Sequence, residues 1–219
     1  RGVNVDKIAV VYYGLRLSQF EGIDPGKITQ LRADWQAGEN DLVFGFVGRL
    51  VEEKSIDTLL SAYAEYVAQT RRKTHLVIAG DGPLREGLIK HAGNLKIDVK
   101  FLGFRADVPE LMSAFDVFVL SSVTEGFGLV LLEAMAAGTA IITTNVGAIP
   151  EVVDDSAVVV NPRRPGEIAA AMRQYENEEF RHAFEIRGTR RLQDNFSLDK
   201  MFAQTDQVYQ EAIKNRTKA

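Results

Sequence analysis

Glu133 is the residue whose setting first suggests chemistry. It is the one charge in the run Leu129-Val130-Leu131-Leu132-Glu133-Ala134-Met135-Ala136-Ala137. A helix that is apolar all round is buried, and an ionised carboxylate on it is costly unless something satisfies it. One solution is an internal arginine or a solvent-facing position. The other is a ligand. Immediately before the run stands Glu125-Gly126-Phe127-Gly128. Free N–H groups at a helix start, together with the helix dipole, attract phosphate. At 1.5 Å rise per residue, Glu133 would lie roughly 9 Å along the axis from Phe127. That separation matches a phosphate and the ribose of one nucleotide, and a carboxylate accepts well from two vicinal hydroxyls. Glu125 and Gly126 also read as an ordinary helix start, with an acid helping the dipole.

Two cations, Arg49 and Lys54, follow another apolar run. Glu52-Glu53-Lys54 resembles solvated surface charge, and taken alone most such lysines have no specific role. Placed at a ligand edge, two cations could neutralise a diphosphate leaving group without a metal. Rival arrangements are missing. There is no G-x-x-x-x-G-K-[ST] and no G-x-G-x-x-G opening a helix after a strand. Asp154-Asp155 is adjacent, not an Asp-x-Asp pair. His75, His91 and His182 are scattered, and the chain has no cysteine, so thiolate chemistry and Cys-ligated zinc are excluded. Ser121 and Ser122 lack a G-x-S-x-G setting and are not read as nucleophiles.

Positioning such groups requires a particular scaffold. Continuous Val/Ile/Leu/Phe runs over Asp41–Val47, His75–Ala79, Val99–Leu102, Asp116–Leu120, Ala140–Thr143 and Ala157–Val160 read as strands buried on both faces. Between them, helical patterns cover Glu53–Gln69, Pro83–Ala92, Val108–Ala114, Gly128–Ala137, Ile149–Val153 and Glu167–Asn177. This alternation predicts a Rossmann-like, three-layer α/β/α fold with a parallel sheet of about six strands. Right-handed crossovers place every loop after a strand at one edge, where ligands bind. Those loops are glycine-rich: Gly48-Arg49-Leu50, Gly80-Asp81-Gly82-Pro83, Gly103-Phe104-Arg105, Ser121 to Gly128, and Thr144 to Pro150.

The organisation reads as three parts. Residues 1–38 hold one strand candidate, Ile8–Tyr12, and a looser Gly/Pro segment. Residues 39–177 form the core. Residues 178–219 carry two helices, the last with a stripe through Met201, Phe202, Thr205, Val208, Tyr209, Ala212 and Ile213 that must pack on something. With 219 residues, 46% of them apolar, a sizeable core is available. A net charge of -4 argues against a dedicated nucleic-acid binder. No apolar run reaches the roughly 18 to 20 residues that span a bilayer, and no signal-peptide pattern is visible.

Taken in order, these residues resemble a known family. Gly48-Arg49-Leu50-Val51-Glu52-Glu53-Lys54, Gly80-Asp81-Gly82-Pro83, Glu125-Gly126-Phe127-Gly128 with Glu133-Ala134-Met135-Ala136, and Gly147 to Pro150-Glu151-Val152-Val153 are similar to the motifs of GT-B glycosyltransferases of family GT4. Seven residues separate Glu125 from Glu133, the E-x7-E spacing of many retaining members. The resemblance runs from about residue 8 to 213. It implies the C-terminal half of a GT-B fold and a hexosyltransferase activity that retains anomeric configuration and needs no metal or other cofactor. Arg49, Lys54 and Glu125 would be catalytic. Gly48 belongs to the donor site. Glu125 would contact the donor sugar, with the backbone of Gly126, Phe127, Gly128 and Leu129. The backbone of Phe104 and Arg105 would meet the base, and Glu133 the ribose.

The partners implied are a nucleotide-diphospho-sugar donor, a separate N-terminal acceptor domain, and a lipid, glycan or small-molecule acceptor. Nucleic acid is not expected. The expected location is cytoplasmic, with at most peripheral membrane contact, and the chain alone is expected to be inactive. A non-catalytic nucleotide- or sugar-binding module of the same fold is the alternative. Departures from the family pattern are Ser55 for a usual Gly, Thr139 for a common Pro, Ala148 for a second Gly, and Tyr12-Tyr13-Gly14-Leu15 near the expected hinge.

Overall fold

A computed structural model of the chain describes residues 7–216. The first six and last three residues of the 1–38 and 178–219 segments lie outside the described residues. Six strands form one parallel sheet: β1 Leu42–Val47, β2 Thr74–Ala79, β3 Val99–Gly103, β4 Val117–Leu120, β5 Ala140–Thr144 and β6 Val158–Val160. Their spatial order is β3-β2-β1-β4-β5-β6. Strand β1, LVFGFV, explains why the runs are continuous. Helices cover both faces, so both alternating sets of side chains are buried. Gly45 in its middle has no side chain because the ring of Phe115 occupies that space. A Cβ there would lie 2.1 Å from Phe115 Cδ2.

The helices are α1 Pro25–Asp34, α2 Ile56–Val67, α3 Arg85–Leu95, α4 Val108–Ala114, α5 Leu129–Ala136, α6 Ile149–Val153, α7 Pro165–Gln174, α8 Glu178–Asn195 and α9 Leu198–Arg216. One face of the sheet carries α2 packed on α3 and α7. The other carries α1 on α4, α4 on α5, and α5 on α8. The result is the three-layer architecture expected. Among the described residues, no helix is long and apolar enough to cross a membrane.

Five local expectations are corrected. Ile8–Tyr12 is not a strand, and no strand ladder includes it. Ile8 and Val10 are exposed, and the segment is held by rings instead: Tyr12 packs on Phe127 and Phe196, and Tyr13 on Phe127. Its neighbour Leu15 makes an isolated bridge with Ser197. The Gly/Pro segment contains α1, whose start signal was present. Asp24 caps it by accepting from the Gly26 N–H at 2.8 Å, and Pro25 opens the first turn. The helix Glu53–Gln69 is broken, with a 3-10 turn over Glu52–Lys54 and α2 beginning only after Ser55, whose φ is 46°. The helices expected at Pro83–Ala92 and Glu167–Asn177 run instead from Arg85 to Leu95 and from Pro165 to Gln174.

The C-terminal segment is two helices, as expected. α8 lies against α5 and β5, with Gly188 over Met135. On α9, Met201 and Val208 are half-buried while Phe202 and Tyr209 are exposed.

Gln36 ends α1 in the left-handed region, with φ at 61°, and its N–H bonds the Ala33 carbonyl. Left-handed backbone costs a non-glycine residue about 1–2 kcal/mol, while glycine loses about 0.5–1 kcal/mol in entropy. Gln36→Gly is therefore expected to stabilise the chain by roughly 0.5–1 kcal/mol in urea unfolding.

Candidate functional site

The strand order reverses direction between β1 and β4. An open parallel sheet has its ligand crevice at that point, outside the carboxyl ends of the strands. The loop after β1 is Gly48 to Lys54 and the loop after β4 is Ser121 to Gly128, so the topology brings the two chemistry-bearing segments together.

Hydrogen bonds join them. Ser121 Oγ donates to the carbonyls of Lys54 and Ser55 at 2.9 and 3.0 Å. The Val123 N–H donates to the Glu53 carbonyl at 2.8 Å. Ser122 is fixed in turn through its carbonyl, which accepts from Thr144 Oγ1 at 2.6 Å. The Ser121 hydroxyl clamps the β4 loop to the β1 loop, and Ser122 ties the β4 loop to β5, roles for which the sequence offered only their position after a strand.

The clamp holds Lys54 against Glu125. The ammonium and carboxylate form an ion pair in which each side chain is less than a fifth exposed, and Ser122 Oγ lies 3.3 Å from the same carboxylate oxygen. Lys54 is thus no solvated surface charge. Its Cε lies 4.0 Å from where a Gly48 Cβ would stand, and Glu125 Cγ 3.5 Å from the equivalent point on Gly128. Gly48, Lys54, Glu125 and the start of α5 are contiguous.

That start is uncapped. Gly128 takes the cap position with φ at 77° and no side chain bonds the first turn. The main-chain N–H groups of Gly126, Phe127, Gly128, Leu129 and Val130 carry no hydrogen bond among the described residues. Arg49 is exposed, and its guanidinium has no ion pair or hydrogen bond among the described residues. Open N–H groups at a helix start favour an anion, while the charge of Lys54 is already met by Glu125.

Next to Arg49 a cavity of about 270 Å³ opens, lined by Gly48, Arg49, Asp81, Phe104, Arg105 and Val108 among others. Phe104 is 79% exposed at its rim. Arg105 is bound bidentately to Asp107, at 2.8 and 2.5 Å, and that contact holds the Asp107 carboxyl below the usual range. Its guanidinium is therefore committed to that carboxylate. The loops forming this cavity interlock closely. A Cβ on Gly80 would lie 1.8 Å from the Gly48 carbonyl oxygen, and the Leu50 N–H bonds the Asp81 carbonyl.

Neither Lys54, Glu125 nor Glu133 lines that cavity. Glu133 lies about one turn into α5, on the less buried stripe with Leu129, Val130 and Ala136. It has no hydrogen bond or ion pair among the described residues, and burial pushes its pKa up. The sequence-level expectation of an isolated carboxylate on an apolar helix holds, and no internal arginine answers it. A carboxyl whose folded pKa exceeds its unfolded value, here from 4.5, favours folding below that unfolded pKa and loses the advantage as pH rises through the folded one. Glu133→Gln is expected to raise the melting temperature at pH 7.5. A gain on the order of 1 kcal/mol corresponds to about 2–4 °C in a domain this size. The difference should shrink toward pH 4, which a melting series against pH would show.

Ser55 explains one departure from the family pattern. It occupies the left-handed region where Gly is usual, and its buried hydroxyl bonds Thr58 Oγ1 at 2.8 Å and Asp57 at 3.2 Å. Thr139 is also satisfied internally, donating to the Met112 carbonyl at 2.7 Å. Among the described residues there is no group of three or more His, Asp or Glu side chains that could hold a metal.

A family model described as "Glycosyl transferases group 1" matches residues 27–191. Among curated proteins, the chain is 30% identical over 193 residues to the N-acetyl-alpha-D-glucosaminyl L-malate synthase of Bacillus anthracis, covering 86% of this chain and 50% of that protein. The crystal structure of Anabaena Alr3699/HepE in complex with UDP and glucose matches with a TM-score of 0.82 and 25% identity, over 92% of this chain and 56% of that one. The solved C-terminal domain of the group 1 protein LpcC from Francisella tularensis is covered completely, with 84% of this chain, a TM-score of 0.73 and 24% identity. This chain spans about half the length of the curated relatives it matches.

Proposed function

The chain belongs to the group 1 glycosyl transferases, and from that premise we propose that it is the donor-binding half of a retaining, metal-independent sugar transferase. Its donor would be a nucleoside-diphospho-hexose. The observation that carries this reading is the Lys54–Glu125 pair beside the uncapped start of α5 at the switch point of the sheet, with Arg49 on the same loop after β1.

In this reading the diphosphate lies between the two cations and the N–H groups of Gly126 to Leu129. Lys54 shifts part of its bonding from Glu125 to phosphate oxygen. Glu125, so released, accepts from hydroxyls of the donor sugar. Glu133 receives the ribose hydroxyls, which offset the cost of its burial. The base enters the cavity beside Phe104 and the Arg105 backbone. As the bond from sugar to diphosphate breaks, negative charge grows on the leaving phosphate. Fixed cations and dipoles stabilise that charge without reorganising. The presence of UDP in the HepE complex supports the ligand class. The acceptor, a lipid, glycan or small molecule, would be held by a second domain, so the chain alone should not turn over. A cytoplasmic setting with at most peripheral membrane contact goes with this proposal.

The test is calorimetry with UDP, GDP, ADP and NAD in chelator-treated buffer. Binding of one nucleoside diphosphate, weakened in Arg49→Ala and Glu133→Ala, is the expected result. Binding of NAD alone, or a strict need for added metal, would overturn the reading. The alternative, a non-catalytic module, predicts the same binding but no transfer when the second domain is supplied.

A further inference from the structure

We propose that a second, cation-lined cavity at the opposite edge of the sheet binds a phosphate-bearing anion. The cavity measures about 340 Å³ and lies where β2 and β3 begin, between the carboxyl ends of α2 and α3. Its lining includes Arg71, Arg72, Lys73, Lys96 and Lys100 against one carboxylate, Asp98. Five cations around one small hollow are unexpected in a chain whose net charge is -4.

Ordinary structural duties absorb only part of that charge. Lys73 pairs with Asp41 at 2.9 Å, and Lys100 with Asp98 at 3.2 Å. Arg72 donates to the carbonyls of Asn40 and Glu176, which fixes its position but leaves its charge. Arg71 and Lys96 are exposed and have no side-chain partner among the described residues. Two helix carboxyl ends contribute roughly half a negative charge each. Against Arg71, Arg72 and Lys96 that leaves an excess of about two. Glu176, bonded to Thr70 at 2.6 Å, removes at most one more. The excess remains positive, and it surrounds a hollow of ligand size.

The chemistry selects phosphate over a carboxylate. A carboxylate spreads one charge over two oxygens, whereas a phosphate offers three and can engage a fixed guanidinium and two mobile cations at once. A soluble polyphosphate and a phospholipid headgroup share this chemistry.

Calorimetric titration with sodium tripolyphosphate tests the proposal at low salt, because the cleft and the cavity can be silenced separately. Arg49→Ala with Lys54→Ala should leave one binding event intact. Arg71→Glu with Lys96→Glu alters two exposed positions and should weaken that event at least tenfold while leaving UDP binding unchanged. Folding of each variant is checked by its melting curve. If the first variant binds no tripolyphosphate, or the second binds it as the parent does, the cavity is no anion site. Sedimentation with vesicles of phosphatidylglycerol in phosphatidylcholine identifies the source. Capture lost in Arg71→Glu with Lys96→Glu assigns a headgroup. Tripolyphosphate binding without capture assigns a soluble anion. A UDP result that fails while the cavity binds would overturn only the cleft.

Discussion

Lys54→Ala is expected to weaken nucleoside-diphosphate binding by about 10–100-fold, since a hydrogen bond to a charged group contributes roughly 1.5–3 kcal/mol. In the complete two-domain enzyme the loss in turnover should be larger, about 10²–10³-fold, because charge on the leaving phosphate peaks in the transition state. The ion pair with Glu125 offers a competing explanation. Lys54 could serve only to neutralise a carboxylate that is 15% exposed, and its removal would then act through an unpaired Glu125. The double variant Lys54→Ala/Glu125→Ala separates the two. If neutralisation is the whole role, the double variant recovers both stability and diphosphate affinity. If the ammonium touches phosphate, stability recovers and affinity does not. Glu125→Gln alone should then bind the diphosphate at least as tightly as the parent, because Lys54 no longer divides its bonding. Calorimetry with UDP and urea unfolding of the same four proteins decide the matter.

What the sequence made legible follows from which physical signals are local. The central strands β1, β4 and β5 were visible because burial on both faces leaves an unbroken apolar run, and the α4 and α6 bounds coincide with those expected. The isolation of Glu133 was visible because one charge among eight apolar residues needs no partner to be noticed. The clamp made by Ser121 was not visible, because its partners are main-chain carbonyls 66 and 67 residues away. A hydroxyl in a loop carries no mark of what it will bond. The left-handed turn at Ser55 was hidden because serine usually avoids that region, so Glu53 to Gln69 read as one helix. Ile8–Tyr12 failed for the opposite reason. Its pattern was acceptable for a strand, but a strand also requires a free edge, and that is a property of the whole sheet. The α1 start at Asp24-Pro25 was local and readable, and the surrounding glycines outweighed it.

Gly147→Ala should damage both the fold and the cleft, although position 147 carries no functional group. Its φ is 55°, and a Cβ there would lie 1.9 Å from the Glu125 carbonyl oxygen and 3.5 Å from that of Gly126. The neighbouring Ala148 N–H bonds the Gly126 carbonyl at 3.2 Å, so the β5 loop supports the β4 loop from beneath. A methyl group cannot be met by rotating a side chain here, because the obstacle is backbone. Left-handed strain of about 1–2 kcal/mol adds to an overpacking cost of about 1–3 kcal/mol, giving roughly 2–5 kcal/mol in all. At about 2–4 °C per kcal/mol the melting temperature should fall on the order of 5–15 °C. The loop can lower that cost only by moving, and any movement carries Glu125 away from Lys54 and turns the N–H groups of Gly126 and Phe127. Diphosphate affinity should therefore drop even well below the melting point, by at least about tenfold if one charge-assisted contact is lost. Gly22→Ala is the control: its φ is 67°, and nothing lies within 4 Å of the added Cβ. It should cost the strain alone and leave UDP binding intact. Equal losses of affinity in the two variants would show that the β5 loop does not hold the phosphate-facing turn in place.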